Sequence, residues 1–316
     1  MCKNIKVTVI CLTYNHEKYI ETCIKGFLLQ QTTFDFEVII HDDASTDRTQ
    51  GIIKKYAEKY PRIIIPILEK ENLMSKGVNI VEEIMMPRAR GEFIAFCEGD
   101  DCWIDKNKLQ MQVEYLDLHP EYSACVHNTF FHHCERKMKD FPMFVWNKNT
   151  DLMFEDILRW SSYGYQTSSL MTRKELVAKT PPFGYCEYPL ALYLVLSGKI
   201  YFMANVMSLY RFRSNKMATR ANVLYKEKIE NEYKETIEML YKVYDYVDKS
   251  KKELVYNKVK SYEKTLSKIM KLTEDEYFIA YKKSERVSTI KYFIRANFQN
   301  VYKLLKNIQL DYYNKF

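Results

Sequence analysis

At residues 93–101 the chain reads Phe93-Ile94-Ala95-Phe96-Cys97-Glu98-Gly99-Asp100-Asp101, a short apolar run followed by three carboxylates in four residues. The apolar run predicts a buried β-strand, and Arg90-Gly91 predicts the turn into it. Carboxylates this close repel one another, so the arrangement costs stability unless a cation or a hydrogen-bond network occupies it. Glu98, Asp100 and Asp101 are therefore candidate ligands of a metal ion.

A second acidic pair, Asp42-Asp43, follows another apolar run at residues 36–40. Two strands that each deliver carboxylates at their C-terminal ends predict one site for a metal and a polar ligand at an edge of an α/β sheet. The non-functional alternatives are a solvated acidic turn for residues 98–101 and helix capping for Asp42-Asp43. Because Ser45-Thr46-Asp47 can cap the next helix without that pair, a functional role is favoured.

The order of the predicted elements favours a mostly parallel, doubly wound sheet. Strands are predicted at residues 7–12, 36–40, 63–68 and 93–97, and helices at 20–28, 52–57 and 78–85. A helix at 108–118 and a strand at 123–131 come next. The apolar stretch at 188–210 contains Pro189 and Ser197-Gly198-Lys199, which predicts a buried helix followed by a strand rather than a membrane span.

The last third of the chain has a different pattern. Beyond residue 222 the apolar residues form helical stripes at 225–247, 254–269 and 290–308. Residues 225–316 hold 20 Lys and Arg against 14 Asp and Glu, so six of the seven net positive charges lie there. We predict an α/β domain at residues 1–215 followed by a basic, Tyr-rich helical region at 216–316.

The helical region has three interpretations. The favoured one is a helical bundle with a solvated Lys/Glu face, whose stripes pack within the chain or across a homo-oligomer. The second is contact with an anionic membrane surface, where each basic residue contributes up to ~1 kcal/mol. The third is nucleic-acid binding, which only the charge supports, so no nucleic-acid partner is expected.

Composition excludes some classes of protein. The chain is 47% hydrophobic and 15% aromatic, which is incompatible with global disorder. Its eight cysteines are scattered without a C-x-x-C motif, which indicates a reducing compartment. The opening residues do not have the pattern of a secretory signal peptide. A cytoplasmic protein, in one interpretation peripheral at the inner face of the cell membrane, is expected.

Four segments, in this order, resemble motifs of the family 2 glycosyltransferases, inverting enzymes with the GT-A fold. They are Val9–Asn15, Val38–Asp47, Gly91–Trp103 and Lys108–Gln112, and the second has Ala44 where glycine is commoner. The resemblance covers about residues 5 to 215. It implies metal-dependent transfer of a sugar from a nucleotide diphospho-sugar to a saccharide or lipid-linked acceptor, with inversion at the anomeric carbon. The expected donor is UDP-linked. Such enzymes often build capsule, lipopolysaccharide or other surface glycans.

The resemblance also implies roles for individual residues at the donor end. Asp101 would bind Mn²⁺ or Mg²⁺ bridging the diphosphate, with Asp100 and Glu98 in support; Asp100 alternatively contacts the ribose. The base and ribose would lie against Thr13, Tyr14, Asn15, Asp42 and Asp43. Two arginines of the segment 210–214, Arg211 and Arg213, suit phosphate, although the family often has histidine at the second position.

At the acceptor end, the resemblance implies a role for Glu187. The segment Cys186–Leu190 resembles the part of the family that supplies the general base, commonly an aspartate before an apolar helix. A glutamate side chain is one methylene longer than an aspartate, so the carboxylate of Glu187 reaches further from the backbone. The non-functional alternative is a glutamate that stabilises a helix N-terminus through the helix dipole.

Two rival functions remain. A nucleotidyltransferase also uses carboxylates and a metal, but it needs a Gly-rich loop to bind a triphosphate, and residues 13–16 contain no glycine. A catalytically inactive protein of the same fold, which binds a nucleotide-sugar or acts as a scaffold, is the stronger rival because residue 187 departs from the commoner aspartate.

Overall fold

A computed structural model describes residues 5–135, 137–144, 146–159, 164–178, 182–184, 187–212, 226–273 and 276–277. The chain divides into two compact units. Unit 1 holds residues 1–130 and 146–211, and unit 2 holds residues 131–145 and 212–316.

The described residues form ten strands and eight α-helices. The strands are β1 (Ile5–Thr13), β2 (Asp35–Asp42), β3 (Ile64–Leu68), β4 (Phe93–Phe96), β5 (Cys102–Trp103), β6 (Tyr122–His133), β7 (Phe141–Pro142), β8 (Thr150–Leu152), β9 (Met171–Arg173) and β10 (Lys199–Phe212). The helices are α1 (Ile20–Leu28), α2 (Thr49–Lys59), α3 (Lys108–Leu118), α4 (Phe154–Arg159), α5 (Lys174–Val177), α6 (Glu187–Ser197), α7 (Lys226–Tyr246) and α8 (Lys249–Met270).

Unit 1 is built on a mixed sheet with the strand order β3-β2-β1-β4-β9-β6-β10-β5. The strands β3, β2, β1 and β4 are parallel, as the alternation of strands and helices predicts. β9 is antiparallel to both β4 and β6, and β10 is antiparallel to β5 and β8. The predicted α/β sheet is confirmed, and its C-terminal half extends it with antiparallel strands.

The core of unit 1 lies between this sheet and its helices. β1 buries alternate residues, Val7, Val9 and Cys11, on one face, as a period of two requires. The same hydrophobic cluster contains Ile24 and Phe27 of α1. Phe27 meets the ring of Trp103 edge to face, with 4.9 Å between centroids, which fixes α1 against β5.

Two predicted elements differ in extent or type, and a third agrees. The helix expected at residues 78–85 is a π-helical turn at Ile80–Met85, and the side chain of Asn79 accepts a hydrogen bond from the backbone N–H of Glu82. The strand expected at 123–131 is the longer β6. The apolar stretch at 188–210 is α6 followed by β10, as predicted.

Unit 2 contains the predicted basic helices. α7 and α8 pack on each other and bury Leu240, Val243, Val255 and Val259. The third helical stripe, at residues 290–308, lies outside the described residues. Over the described parts of the chain, none of the helices has the length and apolarity needed to cross a membrane.

Candidate active site

Three strands of the parallel half of the sheet deliver polar residues to the same edge. β1 ends at Thr13, which is in register with Asp42 at the end of β2. The backbone N–H of Asp43 donates to the Thr13 carbonyl (3.1 Å), and that of Gly99 donates to the Leu12 carbonyl (2.8 Å). The structure therefore brings the two acidic segments together, as expected for the carboxyl ends of parallel strands.

Gly99 allows the acidic turn to approach the β1 loop closely. A Cβ at this position would lie 2.6 Å from Thr13 Oγ1 and 3.0 Å from His16 Nδ1. This approach places His16 Nε2 3.9 Å from Asp100 Oδ2. A side chain at residue 99 would force the two loops apart.

Asp101 is the most buried of the acidic residues in this turn, with 1% of its surface exposed. Its Oδ1 accepts a hydrogen bond from the Arg211 backbone N–H (3.0 Å), whereas its buried Oδ2 has no hydrogen-bond partner among the described residues. Burial, reinforced by the charge of Asp100, raises the pKa of Asp101 well above its usual range, against weaker opposing effects of Arg211 and Gln166. A buried, unpartnered carboxylate oxygen fits a hard divalent cation.

Arg211 ties the acidic turn to β10. Its Nη1 donates to the Asp100 carbonyl (2.7 Å), and its Nη2 donates to Cys102 Sγ (3.4 Å). Its guanidinium lies over the ring of Tyr19, 5.3 Å from the centroid. The predicted phosphate contact Arg211 thus lies at the site, while Arg213 falls outside the described residues.

Glu98 precedes Asp101 in the acidic turn but does not complete a metal cage with it. Burial raises the pKa of Glu98 well above its usual range, and the charges of Glu187, Asp100 and Asp101 add to the effect. In the part of the chain that the structure describes, no group of three or more His, Cys, Asp or Glu side chains is arranged to hold a metal ion by itself. A cation bound at Asp101 would need further ligands from a bound molecule or from water.

The two aspartates after β2 have different environments. The Asp42 carboxylate is fully buried and accepts hydrogen bonds from the backbone and hydroxyl of Ser45 and from Gln50 Nε2 (2.7 Å). In the part of the chain that the structure describes, the Asp43 carboxylate accepts from the backbone N–H groups of Leu73 (2.7 Å) and Met74 (3.2 Å). A carboxylate offers about four acceptor positions. Asp43 therefore retains more capacity for a ligand than Asp42.

The β1 loop is held against the β2 loop. The Asn15 backbone N–H donates to Ser45 Oγ (2.8 Å), and Asn15 Oδ1 accepts from the Thr46 backbone N–H (2.8 Å). Tyr14 is 40% exposed beside them. Ala44 has a φ of 62°, a left-handed conformation that favours glycine, which explains why glycine suits this position.

Glu187 is the first residue of α6 and is exposed. Its Oε1 accepts a hydrogen bond from Thr167 Oγ1 (2.6 Å). Its charge contributes to the raised pKa values of Glu98, Tyr210 and Tyr165, after burial as the main cause in each. Thr167 precedes Ser168, whose carbonyl accepts a hydrogen bond from Trp103 Nε1 (2.8 Å), so the fold connects the predicted base to the strand that follows the acidic turn.

Several polar residues of the site carry no signal in the sequence that would have identified them. Tyr165 is 4% exposed, and none of the described residues forms a hydrogen bond with its buried hydroxyl. Gln166 and Thr167, next in the chain, approach Asp101 and Glu187. His16 is a partial exception, because it directly follows the segment Val9–Asn15 that the sequence assigns to the site.

Comparisons with known proteins agree on one family. The model of Glycosyl transferase family 2 matches residues 8–180. An uncharacterized protein of Mycobacterium tuberculosis is 37% identical over 210 residues, which cover 65% of this chain and 58% of that protein. The chain thus spans little more than half the length of that relative.

Two solved structures share the fold. Residues 1–349 of Staphylococcus aureus TarS, a poly(ribitol-phosphate) β-N-acetylglucosaminyltransferase crystallised with UDP-GlcNAc, match with a TM-score of 0.64 and 20% identity, covering 92% of this chain and 81% of that one. A mannosyltransferase from Pyrobaculum calidifontis, in complex with GDP-Man and Mn²⁺, matches with a TM-score of 0.51 and 16% identity over 96% of this chain and 88% of that one. At these identities the likeness concerns the fold, and it is the predicted GT-A fold.

Proposed function

This chain belongs to glycosyl transferase family 2, and we propose that it transfers a sugar from a UDP-sugar to a saccharide or lipid-linked acceptor, with inversion at the anomeric carbon. The observation that carries the proposal is the buried Oδ2 of Asp101, which has no hydrogen-bond partner among the described residues, in an acidic turn where the charge of Glu187 also acts on Glu98. One carboxylate suits a cation at the leaving group, and the other suits a base at the acceptor.

The donor end of the proposed site is formed by the β1 and β2 loops. Asp43 keeps acceptor positions for an N–H of the base or a hydroxyl of the ribose, while Tyr14 offers a partly exposed ring. Asp42 supports this loop from within rather than facing a ligand. The preference for UDP is supported by the TarS structures, which hold UDP-GlcNAc or UDP.

The residues at the acidic turn fit a divalent metal ion. Mg²⁺ and Mn²⁺ take oxygen ligands, and Mg²⁺ in particular is bound by one or two carboxylates together with substrate phosphates and water. Asp101 would hold the ion, with Asp100 beside it and Glu98 adding negative charge. When bound, the ion would stabilise the charge that develops on the diphosphate leaving group.

Glu187 is proposed as the general base. The acceptor hydroxyl would give its proton to Glu187 while its oxygen bonds to the anomeric carbon. The bond from that carbon to the diphosphate oxygen breaks, and its electron pair leaves with UDP. Arg211 would hold the acidic turn in position through its bonds to Asp101 and to the Asp100 carbonyl.

The setting of the reaction is also part of the proposal. TarS is a poly(ribitol-phosphate) β-N-acetylglucosaminyltransferase, which supports a polymeric acceptor. We propose that the glycosyltransferase domain ends near residue 215 and that the protein is cytoplasmic. α8 carries seven lysines and two glutamates, a composition that suits contact with anionic lipid near a lipid-linked acceptor. Binding to phosphatidylserine vesicles that weakens with salt would support that contact, and no binding at low salt would exclude it.

The test of the site is calorimetric binding of UDP with and without Mn²⁺. We expect Mn²⁺-dependent binding by the wild type, loss of that dependence in Asp101→Asn, and no change in the control Asp245→Asn, which alters an exposed aspartate of α7. Glu187→Gln should keep UDP binding and lose transfer. Absence of UDP binding by the wild type would refute the transferase proposal. UDP binding without any sugar transfer or hydrolysis would favour the inactive, nucleotide-sugar-binding alternative.

A further inference from the structure

Within the described residues, the side chain of the proposed base, Glu187, accepts one hydrogen bond, and Thr167 donates it. Its Oγ1 donates to Glu187 Oε1 at 2.6 Å. Glu187 is exposed and has one more rotatable bond than the aspartate that the family commonly has at this point. A fixed donor on one oxygen restricts that additional freedom and leaves Oε2 for another partner.

The turn that carries Thr167 is itself held in place by buried groups. The carbonyl of Ser168 accepts a hydrogen bond from Trp103 Nε1 (2.8 Å), and the carbonyl of Ser169 accepts one from Gln112 Nε2 (2.9 Å). Trp103 and Gln112 are buried. Side chains that are hydrogen-bonded and packed in this way have little freedom to move, so Thr167 stands on a rigid support.

The same turn approaches the other functional carboxylate. Gln166, the residue before Thr167, lies close enough to Asp101 for its side chain to lower the pKa of that carboxyl, against the larger effect of burial. Gln166 and Thr167, consecutive in this turn, thus link the surroundings of the proposed metal ligand to the proposed base.

We propose that Thr167 is a positioning residue that orients Glu187 for proton transfer from the acceptor. The proposal rests on the function proposed above for Glu187. Thr167 does not touch the reacting atoms. It occupies Oε1, so that Oε2 faces the acceptor hydroxyl, and it compensates for the longer reach of a glutamate. A misplaced base loses rate because transfer requires the reacting atoms at hydrogen-bond distance.

The test compares Thr167→Val, which keeps the shape and removes the hydroxyl, with Thr167→Ser, which keeps the hydroxyl. UDP release from UDP-GlcNAc, UDP-Glc and UDP-Gal in water gives kcat and KM, and calorimetry gives the affinity for UDP with Mn²⁺. For Thr167→Val we expect kcat to fall by about tenfold or more, as for loss of a hydrogen bond to a charged group, with UDP affinity unchanged. Thr167→Ser should recover most of the rate.

A double-mutant cycle separates positioning from stability. In Glu187→Asp the carboxylate is one methylene shorter and should no longer reach Thr167, so adding Thr167→Val should cost little further rate. Thr172→Val is the matched control, because it removes another threonine hydroxyl, which donates to the Ser123 carbonyl (2.8 Å), without touching Glu187. It should lower stability and leave kcat unchanged.

The outcomes distinguish the two proposals. Wild-type kcat in Thr167→Val, or the same loss in both Glu187 backgrounds, would overturn the positioning role and leave the proposed function standing. A parallel loss of UDP affinity in Thr167→Val would also overturn it, since the residue would then support the fold of the whole site. Absence of both UDP binding and sugar release in the wild type would overturn the proposed function first.

Discussion

Replacing Lys108 by methionine should change how stability depends on pH. Lys108 begins α3 and is fully buried, with its Nζ 2.7 Å from Gln112 Oε1 and 4.0 Å from the centroid of the Trp103 ring. Burial lowers the pKa of Lys108 from 10.5 to about 7, against smaller opposing effects of Cys97 and Cys125. The protonated form is therefore disfavoured in the folded state.

The direction in which stability changes with pH follows from the number of protons that the folded and unfolded states bind. Between pH 7 and 10.5 the folded lysine is neutral while the unfolded one is protonated, so the unfolded state binds more protons and the free energy of unfolding rises with pH. That stability is fully present above the unfolded pKa and is lost as the pH falls to the folded pKa. One pKa unit corresponds to about 1.4 kcal/mol, so the shift of the Lys108 pKa from 10.5 to about 7 changes the free energy of unfolding by about 5 kcal/mol in total.

Urea unfolding of the wild type and Lys108→Met at about pH 7, 8 and 9 measures the effect. Compared with the wild type, Lys108→Met should be most stable at pH 7. The difference in the free energy of unfolding that favours the variant should shrink by about 2–3 kcal/mol between pH 7 and 9. At high pH it should be the less stable protein, because Gln112 Oε1 loses its donor, at a cost of about 1–3 kcal/mol.

Taking the difference between the two proteins cancels the titration of groups that they share. Lys54→Met, at an exposed position of α2, is the control and should show a difference from the wild type that does not vary with pH. A difference between wild type and Lys108→Met that stays constant from pH 7 to 9 would refute the assignment of a neutral buried lysine.

Three further predictions concern single positions. Ala44→Gly should raise the free energy of unfolding in urea by up to about 1 kcal/mol, because Ala44 has a φ of 62°; a decrease would show that the conformation is not strained. Gly91→Ala should lower the free energy of unfolding by about 3 kcal/mol or more, since its Cβ would lie 2.3 Å from the backbone N of Thr8; a near-neutral thermal melt would contradict this. Calorimetric affinity for UDP with Mn²⁺ should fall as the pH is lowered, because burial raises the pKa of Asp101 and a metal ligand must be deprotonated; an affinity that is independent of pH would argue against Asp101 as the ligand.

The edge of the sheet that carries Asp42, Asp43 and Asp101 could be predicted because its signals are local. Apolar runs that end in polar residues predict strands, and parallel strands place those ends together, which the pairing of Thr13 with Asp42 confirms. The residue type at position 44 also carried information, since the structure gives Ala44 a backbone conformation that favours glycine. These inferences needed no knowledge of distant contacts.

The surroundings of Glu187 could not be predicted in the same way because distant contacts determine them. β9 has only three residues, too few for a pattern, and the turn before it is held by Trp103 and Gln112, 65 and 57 residues away in the chain. Lys108 is a similar case, because a lysine in a helix predicts an exposed position and the structure buries it. The contact of Thr167 with Glu187, 20 residues apart, likewise follows from the fold.

The charges at the site favour joint binding of the proposed cation and the proposed diphosphate. Burial raises the pKa values of Glu98 and Asp101, so the site already resists the negative charge of its own carboxyls. A diphosphate alone would add to that charge, whereas a divalent cation alone would find too few protein ligands among the described residues to complete its coordination. Each therefore supplies what the other lacks, the phosphates as oxygen ligands and the cation as compensating charge. We expect UDP and Mn²⁺ to bind with positive cooperativity, and two independent affinities would contradict this reasoning.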